Sequence, residues 1–82
     1  MFYVYAIVSE SRNYIYVGMT DDPHRRISSH NLGYNKTTSA YRPFRILLTE
    51  EYPTRIEARI REKYLKSGIG KEFLKAILKS HR

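Results

Sequence analysis

The chain has 82 residues, no cysteine, and 15 lysines and arginines against 8 aspartates and glutamates, for a formal net charge of +7. That length supports one small domain, residues 1–82, with a modest core, and the missing cysteines exclude disulfide frameworks, thiolate metal sites and cysteine nucleophiles. The positive excess favours a polyanionic partner, most often nucleic acid; spread along the whole chain, it does not suit an anionic membrane.

No apolar run approaches the roughly 20 residues needed to span a bilayer, and no cleavable signal precedes the first strand, so the expected location is cytoplasmic. Met1–Val8 and Tyr14–Met19 both alternate with period two. Phe2, Val4, Ala6 and Val8 fall on one face, Tyr3, Tyr5 and Ile7 on the other; in the second run Ile15 and Val17 oppose Tyr14, Tyr16 and Gly18. The expectation is a hairpin joined through Ser9–Asn13, with an aliphatic face toward a core and a tyrosine-rich face offered to something polar. Asp22 can then cap a helix with Pro23 in its first position, running to about His30 or Asn31.

Tyr34–Pro43 reads as a polar loop, and Phe44–Thr49 as a third strand with Phe44, Ile46 and Leu48 on one side and Arg45, Leu47 and Thr49 on the other. Pro53 and Thr54 end that strand and open a helix over about Arg55–Lys66, whose Ile56, Ile60, Tyr64 and Leu65 predict a buried stripe. Gly68 and Gly70 separate it from a last basic helix, about Lys71–Ser80, with Phe73, Leu74, Ile77 and Leu78 as its apolar face. The order β-β-α-β-α-α predicts an α+β domain, a three-stranded antiparallel sheet flanked by helices.

Several residues have chemistry to offer, each beside a plainer reading. Glu62 is an oxygen ligand for a hard cation, or an exposed residue paired with Arg59 and Lys66 at helical spacing. Arg26 offers a forked, permanently charged phosphate donor, and so does its neighbour Arg25; the alternative is a solvated basic face. Arg26 and His30, four residues apart, project from one helix face. A histidine there passes protons near neutral pH, holds a phosphate oxygen, or serves as a helix-end cation. Tyr5 and Tyr16 supply hydroxyls that orient a water, or act as a base beside a cation, or simply pack as strand tyrosines do. Gly18 marks a place of close approach by backbone or phosphate, or a strand-end bend. Lys36, Thr37, Thr38, Tyr41 and Arg42 in the loop, with Lys71 in the last helix, are expected contacts to a nucleic-acid backbone. Tyr34 and Tyr41 suit stacking on an unpaired base or packing within the loop.

Tyr3-Val4-Tyr5 and Tyr16-Val17-Gly18, with ten residues between Tyr5 and Tyr16, resemble the two name-giving triplets of the GIY-YIG nuclease family. Tyr3 stands where that family usually has glycine. Arg26 falls at the family's helix arginine, and Glu57-Ala58-Arg59-Ile60-Arg61-Glu62 is similar to its second helix, in which the last carboxylate is the metal ligand. The likeness covers almost the whole chain and is closest to small stand-alone members.

The resemblance implies metal-dependent endonuclease cleavage of DNA phosphodiesters, with structure-selective cutting in DNA repair or recombination as the expected setting. It implies Glu62 as ligand to one Mg²⁺ or Mn²⁺; the chemistry of the other residues then leads to the expectation that Arg26 stabilises the phosphate charge and that Tyr5, with Tyr16 or His30, prepares the water. The principal rival is a binding module that keeps the fold and basic surface without cutting. A third reading is a subunit whose specificity comes from a protein partner. A carboxylate facing phosphate costs a pure binder affinity, and this favours the enzyme.

Overall fold

The computed structural model describes residues 1–80. Its elements are β1 (Phe2–Ser9), β2 (Ile15–Thr20), α1 (Pro23–Asn31), a single 3₁₀ turn (Ser39–Tyr41), β3 (Phe44–Tyr52), α2 (Arg55–Lys66) and α3 (Gly68–Ser80). The three strands form an antiparallel sheet in the order β2-β1-β3, so the first strand is central and both others are edges. The α+β architecture expected from the sequence is the one found.

Alternation along β1 sends side chains into two cores, one on each face of the sheet. Val4, Ala6 and Val17 join Leu47, Ala58, Leu65 and Leu74 beneath α2 and α3. Tyr5 and Ile7 join Ile27 and Phe44 on the other face, with Tyr14, Tyr16 and Tyr41 packed around them. The tyrosine face, expected from the sequence to meet something polar, is largely occupied by the protein itself. α1 and the loop after it cover that face and convert it into a second apolar cluster. Each fully buried aliphatic or aromatic side chain there contributes about 1.5–3 kcal/mol.

α1 begins as its sequence demands: Asp22 accepts from the Arg25 N–H at 3.2 Å and Pro23 occupies the first turn. Its far end is tied to β3 by the Asn31 side-chain amide, which donates to the Phe44 carbonyl and accepts from the Phe44 N–H. α2 starts with a reciprocal cap between Thr54 and Glu57. Such caps contribute about 1 kcal/mol each.

Four details depart from the expected pattern. β3 extends to Tyr52, and between its pairings with Ala6 and Ile7 the register shifts, leaving Leu47 without a partner. This bulge turns Leu47 to the same core as Leu48, while Phe44 packs on the other face and Ile46 lies half exposed. In α2 the buried row is Ala58, Glu62 and Leu65; Ile56 and Ile60 are 73% and 66% exposed. The two rows lie on opposite sides of the helix, and the small Ala58 lets the helix approach the sheet.

Gly68 and Gly70 lie inside α3 and do not precede it. Ser67 ends α2 and its hydroxyl accepts from the Gly70 N–H at 3.2 Å, so one residue closes one helix and caps the next. A Cβ at Gly70 would collide with the backbone of Tyr64 and Leu65, so glycine permits this sharp junction. Phe73 is also not on the buried face. It lies 40% exposed under Arg61, whose guanidinium is 5.3 Å from its ring centre and 5.1 Å from that of Tyr64. Arg61 also forms a two-pronged ion pair with Glu50 of β3, at 2.8 and 3.1 Å. No helix among the described residues is long and apolar enough to cross a membrane.

Candidate active site

The centre of β1 carries Tyr5 onto the α1 face of the sheet, where it is 1% exposed. Opposite it in the β1–β2 ladder is Gly18, and the Tyr5 ring lies over that glycine. Gly18 is buried and its close neighbour is the Tyr5 ring, a seat for the tyrosine in place of the phosphate approach expected. Tyr16, two residues earlier on β2, brings its ring to 6.2 Å from Tyr5 and 4.8 Å from His30.

His30, in the last turn of α1, is 1% exposed. Its Nε2 stands 3.0 Å from the Tyr5 hydroxyl and its Nδ1 2.8 Å from Thr38 Oγ1. Burial, and then the charge of Arg26, hold the imidazole below its ordinary pKa, so His30 is neutral near pH 7 and is no helix-end cation. Burial pushes the Tyr5 hydroxyl above the usual phenol value, and the Arg26 guanidinium beside it offsets only part of that. Tyr5 therefore rests as a neutral phenol.

Arg26 and His30 do converge on Tyr5, as their spacing predicts, but Arg26 stands exposed while His30 is enclosed. Arg26 also borders Tyr16, and the neighbouring phenols, Tyr5 above all, favour its charged form further. Arg25 differs: its guanidinium pairs with Asp21 at 3.7 Å and Asp22 at 3.8 Å. No such pair engages Arg26 among the described residues. Arg25, Arg26 and Arg55 together line a hollow of about 290 Å³ with Phe2, Met19, Thr20 and Asp21. Arg55 was not legible as a site residue, because it lies at the start of α2, thirty positions from Arg25 in sequence.

Glu62 lies on the inner row of α2, 8% exposed, and its charge reaches Tyr5. The pairing with Arg59 and Lys66 expected from helical spacing is present, with Lys66 at 3.0 Å from Oε2 and Arg59 at 3.8 Å from Oε1, but the carboxylate is enclosed and not exposed. Among the described residues no three metal-ligating side chains gather. A Mg²⁺ or Mn²⁺ ion that keeps most of its waters needs only one or two carboxylates, so Glu62 alone fits such an ion. Its oxygens already attract two cations, and the more closely paired, Lys66, is a half-exposed, flexible side chain that can yield.

Of the loop residues, Lys36, Thr37 and Arg42 are exposed, with Arg42 Nη1 donating to the Leu32 carbonyl. Thr38 is 0% exposed, so it does not meet a nucleic-acid backbone, as the sequence had suggested; it turns inward to His30. Tyr41 stacks on Tyr14 at 4.0 Å and is thereby used in packing, while Tyr34 stands exposed. Lys71 is exposed in the first turns of α3, a helix packed on the sheet face opposite α1.

Residues 1–73 match the family model of the GIY-YIG catalytic domain. The chain is also similar to the solution NMR structure of the UPF0213 protein BH0048 from Bacillus halodurans, with 34% identity and a TM-score of 0.56 over 94% of this chain and 85% of that one. No curated protein sequence matches it.

Proposed function

The chain belongs to the GIY-YIG nuclease family, and on that premise we propose that it is a single-domain endonuclease hydrolysing DNA phosphodiester bonds with one divalent cation. The observation carrying this reading is the meeting of Tyr5, Tyr16, Arg26 and His30 from two strands and a helix, with the Tyr5 hydroxyl 3.0 Å from a neutral imidazole. Hydrolysis requires a water stripped of its proton, neutralisation of charge on the phosphate, and release of the sugar oxygen. Tyr5 takes the proton of the attacking water as it passes its own to His30 Nε2, so a free phenolate never accumulates. The imidazole becomes imidazolium, and the water oxygen forms the new bond to phosphorus as the bond from phosphorus to the departing sugar oxygen breaks, that oxygen taking a proton from solvent water.

Arg26, charged and open to solvent, holds the non-bridging phosphate oxygens, while Arg55 and the loop cations draw the backbone into place. Tyr16 flanks Tyr5 and keeps the water oriented. Glu62 is the residue that holds Mg²⁺ or Mn²⁺, an ion that supplies Lewis-acid stabilisation of the phosphate charge and of the departing oxygen. Branched or nicked DNA in repair or recombination is the substrate class proposed, since exposed Arg26, Arg55, Lys36 and Arg42 suit phosphates, which position a duplex without reading its sequence.

The test is cleavage of supercoiled plasmid, single strands, flaps and four-way junctions with Mg²⁺, Mn²⁺ or chelator. Metal-dependent cutting lost in Glu62→Ala supports the proposal. Salt-sensitive binding with no cutting across that panel would replace it with a non-catalytic binding module.

A further inference from the structure

The buried hydroxyl of Thr38 has no role in the reading above, and its position is closely determined. Thr38 enters the protein from a structured stretch of loop. The Asn35 carbonyl accepts from the N–H groups of Thr38 and Ser39, the Asn35 side chain accepts from the Thr37 N–H, and the Thr38 carbonyl accepts from the Tyr41 N–H. Beyond it, Tyr41 is stacked on Tyr14, and its carbonyl accepts from the Ser9 hydroxyl. The loop thus delivers one hydroxyl to His30 Nδ1 at 2.8 Å and leaves it with no solvent exposure.

An imidazole with both nitrogens in buried hydrogen bonds must choose which carries the proton, and its two neighbours decide. At Nε2 the neighbour is Tyr5. Arg26 lies beside the Tyr5 oxygen and can only donate, so it offers the Tyr5 O–H no acceptor. Among the hydrogen bonds of the described residues, His30 Nε2 is the sole acceptor for the Tyr5 O–H. Were Nε2 protonated, that buried O–H would lose its partner, at a cost comparable to a broken hydrogen bond. Thr38 Oγ1 is in the same position at Nδ1, with His30 as its one partner among the described residues, so one of the two hydroxyls must act as acceptor toward the ring. A phenol is the stronger donor and an aliphatic hydroxyl the better acceptor, so Nε2 is the bare nitrogen and the proton resides on Nδ1, donated to Thr38 Oγ1.

We infer that Thr38 is a positioning residue: its hydroxyl holds His30 as the Nδ1–H tautomer, keeping Nε2 open toward Tyr5. The inference deepens the nuclease reading and rests on it for its consequence, because only that tautomer accepts the Tyr5 proton. When it does, the resulting imidazolium keeps its Nδ1–H on Thr38 and places the new proton on Nε2, and no further group need move.

Thr38→Val replaces the hydroxyl with a methyl of the same shape, and Thr38→Ser retains it. The first readout is the long-range ¹H–¹⁵N spectrum of histidine-labelled protein, which separates protonated from bare ring nitrogens without any reaction. The expected result is bare Nε2 and protonated Nδ1 in the parent and in Thr38→Ser, with Thr38→Val showing protonated Nε2 or a mixture. Protonated Nε2 in the parent, or an unchanged ring in Thr38→Val, would overturn the inference. The second readout is cleavage, where Thr38→Val lowers kcat by about tenfold or more at unchanged KM and Thr38→Ser restores it. A changed tautomer with undiminished kcat would overturn the positioning role. A parent that cuts nothing would remove the nuclease reading, and the nitrogen spectra would still judge the tautomer.

Discussion

Tyr5 and Gly18 face each other across the β1–β2 ladder, and the tyrosine ring occupies the space above the glycine that a side chain would otherwise fill. A Cβ at position 18 would stand 2.6 Å from Cζ and 2.9 Å from Cε1 of Tyr5, too close for either atom to remain in place. Glycine is thus the condition under which the Tyr5 hydroxyl reaches His30.

Gly18→Ala forces the ring aside within a closed cluster. We expect a stability loss of about 1–3 kcal/mol by urea denaturation and cleavage reduced to background. Unchanged stability together with full activity would show that the ring has room to move.

Glu62→Gln keeps the shape of the side chain and removes its charge. Cleavage in Mg²⁺ should disappear, while stability changes by less than about 1 kcal/mol because both cationic partners are half-exposed or more. Thermal denaturation and plasmid nicking measure the two arms. Normal cutting by the variant would remove Glu62 from the metal site.

The three arginines of the shared hollow should separate by role. Arg26→Ala lowers cleavage by about 100-fold or more, and Arg26→Lys falls between, since an ammonium keeps the charge but loses the fork. Arg25→Ala has a small effect, its charge being already engaged by Asp21 and Asp22. Arg55→Ala weakens DNA binding uniformly across sequences and reduces the slope of log K against log salt by about 1. Equal losses of kcat in all three would argue against this division.

Because burial and Arg26 depress the His30 pKa, its imidazole stays neutral into mildly acidic solution. Cleavage should therefore hold its rate as pH falls through about 6.5, the ordinary histidine value, and decline only below it. A pH–rate profile falling by half at or above that value would contradict the enclosed geometry.

Glu50 gives a separate pH signature, in stability. Burial alone would raise its pKa, but hydrogen bonds from Arg61 and Tyr52 and the guanidinium charge outweigh this and hold the carboxyl below its usual value. The unfolded chain then binds the proton first as pH falls. The stabilisation from Glu50 is complete above the ordinary carboxylate range and disappears as pH drops through the lower folded-state value. Denaturation across pH should show Glu50→Gln less stable at neutrality and with a flatter acid limb.

The elements were legible because their signals are local. Asp22-Pro23 starts a helix through its own backbone, Thr54 does the same, and period-two alternation separates the two faces of β1 correctly. Resemblance brought Tyr5, Tyr16, Arg26 and Glu62 forward as a set, and helical spacing from Arg26 added His30. What remained hidden depended on tertiary contacts. Ile56 and Ile60 outweigh Ala58 in any hydropathy reading, but the sheet selects the helix side with the smaller residue. The bulge at Leu47 resets alternation without a glycine or proline to mark it. Thr38 looks like any loop threonine until the fold brings it to His30, and Arg55 shares a hollow with Arg26 only once the chain is folded.

The order β2-β1-β3 has a temporal consequence. β1 has its amides paired on both sides and its side chains enclosed on both faces, so its protons should be among the slowest to exchange with solvent. Tyr5 belongs to that persistent strand. His30 and Thr38 belong to a nine-residue helix and the loop beyond it, which open at lower cost. Brief local openings would then detach the relay from its Thr38 end while the tyrosine stays in place, and reclosure would rebuild it against a fixed template.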